Sequence, residues 1–245
     1  MMATALRTPP ERPRLAGRTL RRRLGLFSVI AILAASNVVS NRLWPEAYIP
    51  WNVGVAVLLV GVALCCGVTW ADLGLSRATL RRGLGIGAIA LVGVAALFLI
   101  ALAVPATREA FDDTRAAGTL GAALFAALVR IPIGTALLEE TAFRGVLPAL
   151  VGGSWWRRTL VSSGLFGLWH VLPSMGMASA NAAVASSVGG WGTVATSALA
   201  VVATAAAGVL LCVWRRWGGH LVTPILAHVA TNSLGVLIAW WFVSH

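Results

Sequence analysis

Seven stretches of this chain, near residues 24–43, 51–69, 83–104, 118–138, 159–173, 193–213 and 221–243, are apolar over about the 17 to 25 residues that a helix needs to cross a bilayer. A backbone placed in hydrocarbon must satisfy its own N–H and C=O groups, so such runs are compatible with helices and with little else. The overall balance agrees: 58% of the residues are hydrophobic and only 11% charged, far from the composition of soluble domains. The expected fold is all-α, a polytopic membrane bundle of about seven transmembrane helices.

All nineteen basic residues are arginine. Arg7, Arg12, Arg14, Arg18 and Arg21 to Arg23 precede the first run, and Arg77, Arg81, Arg82, Arg157, Arg158, Arg215 and Arg216 fall at loops on the same side of a seven-span topology. Arg42, Arg108 and Arg115 take the opposite side. The positive-inside rule then puts the N-terminus in the cytoplasm and the C-terminus outside. Because the arginines flank apolar runs instead of covering a folded polar face, the net charge of +11 speaks for a lipid surface and against nucleic acid. Residues 1–20, with Pro9, Pro10 and Pro13, read as a mobile basic cytoplasmic arm, and 21–245 as a single membrane domain. The first apolar run continues past Ala34, Ala35 and Ser36, so it reads as a retained helix and not as a cleaved signal. Cys65, Cys66 and Cys212 all lie in apolar runs without a CxxC spacing, which suits packing residues.

Within this hydrocarbon sequence three polar groupings recur at one-turn spacing: Glu139, Glu140 and Arg144; Phe166 and His170; His228 and Asn232. An ionisable group at membrane depth costs at least about 2.5 kcal/mol, so each demands a compensating role. At about 1.5 Å of rise per residue, Glu140, His170 and His228 reach a common level about 16 to 20 Å from the cytoplasmic face. Neighbouring residues on a helix differ by about 100°, whereas Glu140 and Arg144 share a face. Glu140 is therefore the expected ion-pair partner, and Glu139 the carboxylate left to face a reaction site as a general base. The plainer alternative is a structural charge cluster. Two imidazoles, a carboxylate and an amide at one depth make a set able to activate water and stabilise an oxyanion. Pro132, Gly134 and Pro148 threaten the continuity of the fourth helix, and residues 145–153 could instead follow the interface.

The stretch Glu139 to Gly145 (EETAFRG) resembles the EExxxR motif of the CPBP intramembrane proteases, the group that contains CAAX prenyl proteases and bacteriocin-processing or immunity proteins. Phe166 to His170 is similar to that family's FxxxH and His228 to Asn232 to its HxxxN, in the family's order, with Gly218 to Ala227 similar to the loop before the last motif. His220 stands in that loop where a small polar residue is expected, and is not counted as catalytic. The resemblance covers about residues 118–240. It implies an intramembrane endopeptidase with its site nearer the cytoplasmic side, acting on membrane-associated peptide or protein substrates; the expected location is a cell membrane, the inner membrane of a bacterium. The implied catalytic residues are Glu139, Glu140, His170, His228 and Asn232, with Glu139 and His170 activating water, His228 and Asn232 stabilising the oxyanion, and Arg144 and Phe166 in support. It leaves the cofactor open between none and a divalent metal such as zinc, for which Glu139, His170 and His228 are suitable ligand types.

Other intramembrane protease classes lack their signatures here: there is no HExxH, no GxGD, and no GxSG around Ser162 and Ser163. Two further readings remain. A transporter accounts for buried charge through an ion path and gives Arg130 a purpose, and a scaffold or immunity protein keeps the fold without the chemistry.

Overall fold

A computed structural model describes residues 12–175, 180, 181, 184, 186 and 192–245. Every regular element among them is helical. We number the long helices α1 (Arg12–Val38), α2 (Tyr48–Cys65), α3 (Arg77–Ala103), α4 (Leu120–Val151), α5 (Trp155–Trp169), α6 (Gly192–Gly218) and α7 (Val222–Ser244). Among the described residues six helical segments, every one of these except α5, are long and apolar enough to cross a membrane. Helix α5 is 15 residues long and is followed, after His170, by one further turn, Val171–Ser174. The predicted arm falls partly outside the described residues, at positions 1–11, and from Arg12 onward the chain is already helical.

The bundle is assembled by two long pairings, α5 along α6 and α3 along α7, with α4 running between them and against α2 and α7. Small residues let the helices approach. A Cβ at Gly167 of α5 would stand 2.5 Å from the Val201 carbonyl of α6, and one at Gly208 of α6 would stand 3.1 Å from Ser163 of α5. In lipid, where burial of apolar surface gives no advantage over contact with lipid tails, such close backbone packing holds helices together.

Helix α4 does not stop near 138. It continues to Val151, with Gly145, Val146, Leu147 and Leu150 buried, so residues 145–151 belong to the bundle interior and not to a surface segment. Its continuity through both prolines has a specific cause. The segments Ala126–Ala136 and Thr141–Val146 are wound as π-helix, in which each N–H reaches the carbonyl five residues back. Pro132 and Pro148 have no N–H, which orphans the carbonyls of Ala127 and Phe143. A serine from a neighbouring helix supplies each missing donor: Ser233 Oγ of α7 donates to Ala127 O at 2.7 Å, and Ser162 Oγ of α5 donates to Phe143 O. Asn52 of α2 donates to Gly134 O at 2.8 Å, beside the first winding change. The prolines are thus tolerated at membrane depth because other helices complete their hydrogen bonds.

Of the three cysteines, all free, Cys66 and Cys212 are buried and Cys65 is exposed. Both buried thiols lie inside the bundle, Cys66 Sγ donating to the Arg21 carbonyl at 3.4 Å and Cys212 lying beside Arg144 and Arg215.

Candidate active site

The two π-segments of α4 flank the short α-helical stretch Leu137–Glu140, and this places Glu139 and Glu140 at the centre of the bundle, both almost fully buried. Their side chains diverge as the 100° rule requires. Glu140 Oε1 accepts from Arg144 Nη1 at 3.0 Å within a pair whose side chains are 1% and 0% exposed, and the same oxygen lies 2.7 Å from His228 Nδ1. One carboxylate oxygen therefore ties α4 to itself and to α7. Because Glu140 accepts, the Nδ1 of His228 carries the proton in this contact. His228 Nε2 then faces Asn232 Nδ2 at 3.0 Å, one turn further along α7.

Glu139 points the other way. Its Oε1 accepts from the indole Nε1–H of Trp169 at 2.9 Å, while its Oε2 is buried and has no hydrogen-bond partner. That oxygen lies 3.9 Å from His170 Nε2 and 3.8 Å from His228 Nε2. His170 caps the end of α5, and its Nδ1 stands 2.8 Å from the Phe166 carbonyl, which can only accept. Nδ1 is thus the protonated nitrogen, and Nε2 presents a free lone pair toward Glu139. The gaps are too long for direct hydrogen bonds. A water about 2.8 Å from both Glu139 Oε2 and His170 Nε2 would subtend roughly 90°, an angle compatible with one oxygen serving both acceptors.

Phe166 packs beneath this arrangement. Its ring meets His170 edge-on at 4.6 Å between centroids, meets His228 at 6.3 Å, and carries the Arg144 guanidinium over its face at 4.0 Å. Residues from all three sequence motifs thus converge on one locus. Trp169, which holds Glu139 in place, was not foreseen from the sequence. It was concealed among eleven tryptophans, nine of which fall near expected helix ends, although its position directly before His170 was a usable signal. Asn37 of α1 donates to the Trp169 carbonyl at 2.9 Å and so fixes the end of α5 from a third direction. Arg130 pairs with neither glutamate; its guanidinium lies over the Tyr48 ring at 4.8 Å. Asn232 and Arg130 line a cavity of about 670 Å³ that extends to Asp113 and Arg115 in the segment before α4.

Among the described residues no group of three His, Cys, Asp or Glu side chains is arranged to hold a metal ion. Of the trio of suitable ligand types, Glu139 Oε2 and His170 Nε2 are open, whereas the Nε2 of His228 is engaged by Asn232. His220 serves the backbone: its Nδ1 accepts from the Val222 N–H at 3.0 Å, at the start of α7.

Residues 119–234, the segment that supplies the site from α4, α5 and α7, match the model of a family described as Rce1-like, type II CAAX prenyl endopeptidase. The matched segment spans just under half of the chain and shows a likeness to that Rce1-like family. The match agrees with the CPBP resemblance carried by the motifs, and its limits fall close to those of the motif-bearing helices. No curated protein and no solved structure matches the chain. The helical bundle joins apolar helices long enough to cross a membrane to a polar centre that lipid alone does not explain.

Proposed function

We propose that this protein is an intramembrane endopeptidase that hydrolyses peptide bonds of membrane-associated substrates with a glutamate-activated water. One observation carries the reading: Glu139 Oε2 is a buried carboxylate oxygen without a partner, facing the free lone pair of His170 Nε2 at 3.9 Å. An unpaired buried carboxylate oxygen is costly, and a bound water removes that cost while being placed for attack.

In this reading Glu139 takes a proton from the water as it attacks the scissile carbonyl, and His170 holds the water and helps move the proton to the departing amine. The oxyanion faces Asn232. One amide N–H of Asn232 is directed at His228 Nε2, leaving the other free to donate to the developing charge. His228 is held by Glu140, and Glu140 by Arg144, so the pair fixes the amide's orientation from behind. The cavity beside Asn232 gives a peptide segment room to approach. If a divalent ion binds here, Glu139 Oε2 and His170 Nε2 are the groups that would hold it, and it would polarise the attacked carbonyl.

Cleavage of a membrane-anchored reporter peptide by the purified protein is the test. Glu139→Gln, His170→Ala and His228→Ala each abolish product while leaving membrane insertion intact. Unchanged turnover in all three ends the peptidase reading, and substrate flux into sealed vesicles without product would favour transport. A reaction run by Glu139 alone keeps its rate after treatment with a strong chelator. Loss of rate with recovery on adding zinc would replace that version by a metal-assisted one.

A further inference from the structure

The arginine-rich end of the bundle holds a second cavity, of about 420 Å³, into which four helices project arginines: Arg22 from α1, Arg144 from α4, Arg158 from α5, and Arg215 with Arg216 from α6. One acidic residue, Asp72, lines it as well. The Asp72 Oδ2 accepts from the Thr69 backbone N–H at 3.0 Å and from the Thr69 hydroxyl at 2.8 Å, and its charge also acts on Arg22 and Arg158. Arg144 has Glu140; among the described residues none of the other four has a carboxylate within ion-pair distance.

Two donors there are buried and lack partners, Arg144 Nη2 and Arg215 Nε. The Arg144 side chain is 1% exposed to bulk solvent, yet it lines the cavity. The surrounding guanidinium groups are held in place. Arg215 lies against Gly74, where a Cβ would collide with it; Arg216 stacks on Trp155 at 4.8 Å; and Arg158 Nε donates to the Gly153 carbonyl at 3.0 Å. Five arginines against the carboxylates of Glu140 and Asp72 leave an excess of positive charge in one concavity, which a polyvalent oxyanion offsets. Guanidinium forks match the oxygens of phosphate in geometry as well as in charge.

We propose that this cavity is a binding site for a phosphate group, either free or as the headgroup of an anionic lipid, seated on Arg144 Nη2 and Arg215 Nε and enclosed by Arg158 and Arg216. The Arg144 guanidinium would then bridge the two centres, holding Glu140 through Nη1 and the phosphate through Nη2.

The test is equilibrium binding of radiolabelled orthophosphate to the full chain in an uncharged detergent, at constant ionic strength set with chloride. A second arm uses dioctanoyl phosphatidic acid. The expected result is saturable uptake of about one phosphate per chain, weakened about tenfold or more in Arg158→Gln and in Arg215→Gln, the scale of one lost charge-assisted bond. Arg81→Gln removes the same charge from an exposed position outside the cavity and leaves binding unchanged. Arg158 is also exposed, so its variant alters the cavity without endangering the fold. Uptake of both ligands means that phosphate alone suffices; uptake of the lipid alone, lost in the same variants, assigns the headgroup. Saturable binding of neither ligand, or binding retained in both Arg158→Gln and Arg215→Gln, overturns the proposal.

Discussion

Replacing Trp169 by phenylalanine isolates one bond at the candidate site. The change removes the indole N–H that donates to Glu139 Oε1 at 2.9 Å and retains an aromatic ring for the edge-on contact with Phe143, whose centroid lies 5.9 Å away. The tie from Asn37 goes to the Trp169 main-chain carbonyl and is unaffected. A hydrogen bond to a charged acceptor contributes about 1.5 to 3 kcal/mol, and here its loss leaves both carboxylate oxygens unheld in a buried setting. If Glu139 must be aimed at the water, that energy appears in the rate: kcat falls by about 10- to 150-fold, since about 1.4 kcal/mol is a factor of ten. Trp169 touches no reacting atom in this scheme, so it is a positioning residue, and KM stays within a few-fold of its original value. The assay is initial-rate cleavage of the reporter peptide across substrate concentration, with thermal unfolding in the same detergent to separate misfolding from misalignment. A Trp169→Phe protein with unchanged kcat, in a system where Glu139→Gln is inactive, would show that the indole bond does not orient the carboxylate.

Other expectations follow from the packing. Ser162→Ala and Ser233→Ala each strip the donor from a proline-orphaned carbonyl and lower stability by about 0.6 to 2 kcal/mol, read by denaturant unfolding in detergent; no loss in either would refute the compensation assigned to them. Gly167→Ala sets a methyl 2.5 Å from the Val201 carbonyl, which a backbone atom cannot easily yield, so α5 must shift from α6 at a cost of about 1 to 3 kcal/mol and activity falls with it. Burial, and then the charge of Arg215, pulls the His220 imidazole below its ordinary 6.5. A histidine kept neutral by the fold stabilises fully above 6.5 and loses that stability as pH falls toward its depressed folded value. Unfolding temperature should therefore drop below about pH 6.5, and His220→Asn, which keeps an acceptor for Val222 N–H without titrating there, should flatten the decline. An unaltered pH profile in that variant would remove His220 from the account.

The pairing of Glu140 with Arg144 was legible because both lie on one helix, where spacing alone sets which side chains meet. The three motifs could be aligned in depth for the same reason. What spacing could not provide was the lateral arrangement: that His228 would bond Glu140, that Trp169 would hold Glu139, or that Asn232 would lie 3.0 Å from His228 Nε2 with a cavity beside it. Pro132 and Pro148 illustrate the gap well. In the sequence they argue for a broken fourth helix; the serines that repair it, Ser233 and Ser162, come from other helices and carry no mark of that duty. The arginine cavity was also divided in the sequence among four segments, of which Arg144 reads as part of a motif and the other arginines as ordinary flanking charge.

The sequence by itself determined a helical membrane protein and a small set of polar residues that hydrocarbon surroundings would not tolerate without purpose. Those follow from composition and from the fixed pitch of a helix, which are local properties. Only the tertiary structure decided which carboxylate is held and which is open, how the prolines are accommodated, and where the arginines meet. Each of these depends on the rotation and separation of helices distant in the chain, and a one-dimensional spacing contains no information about either.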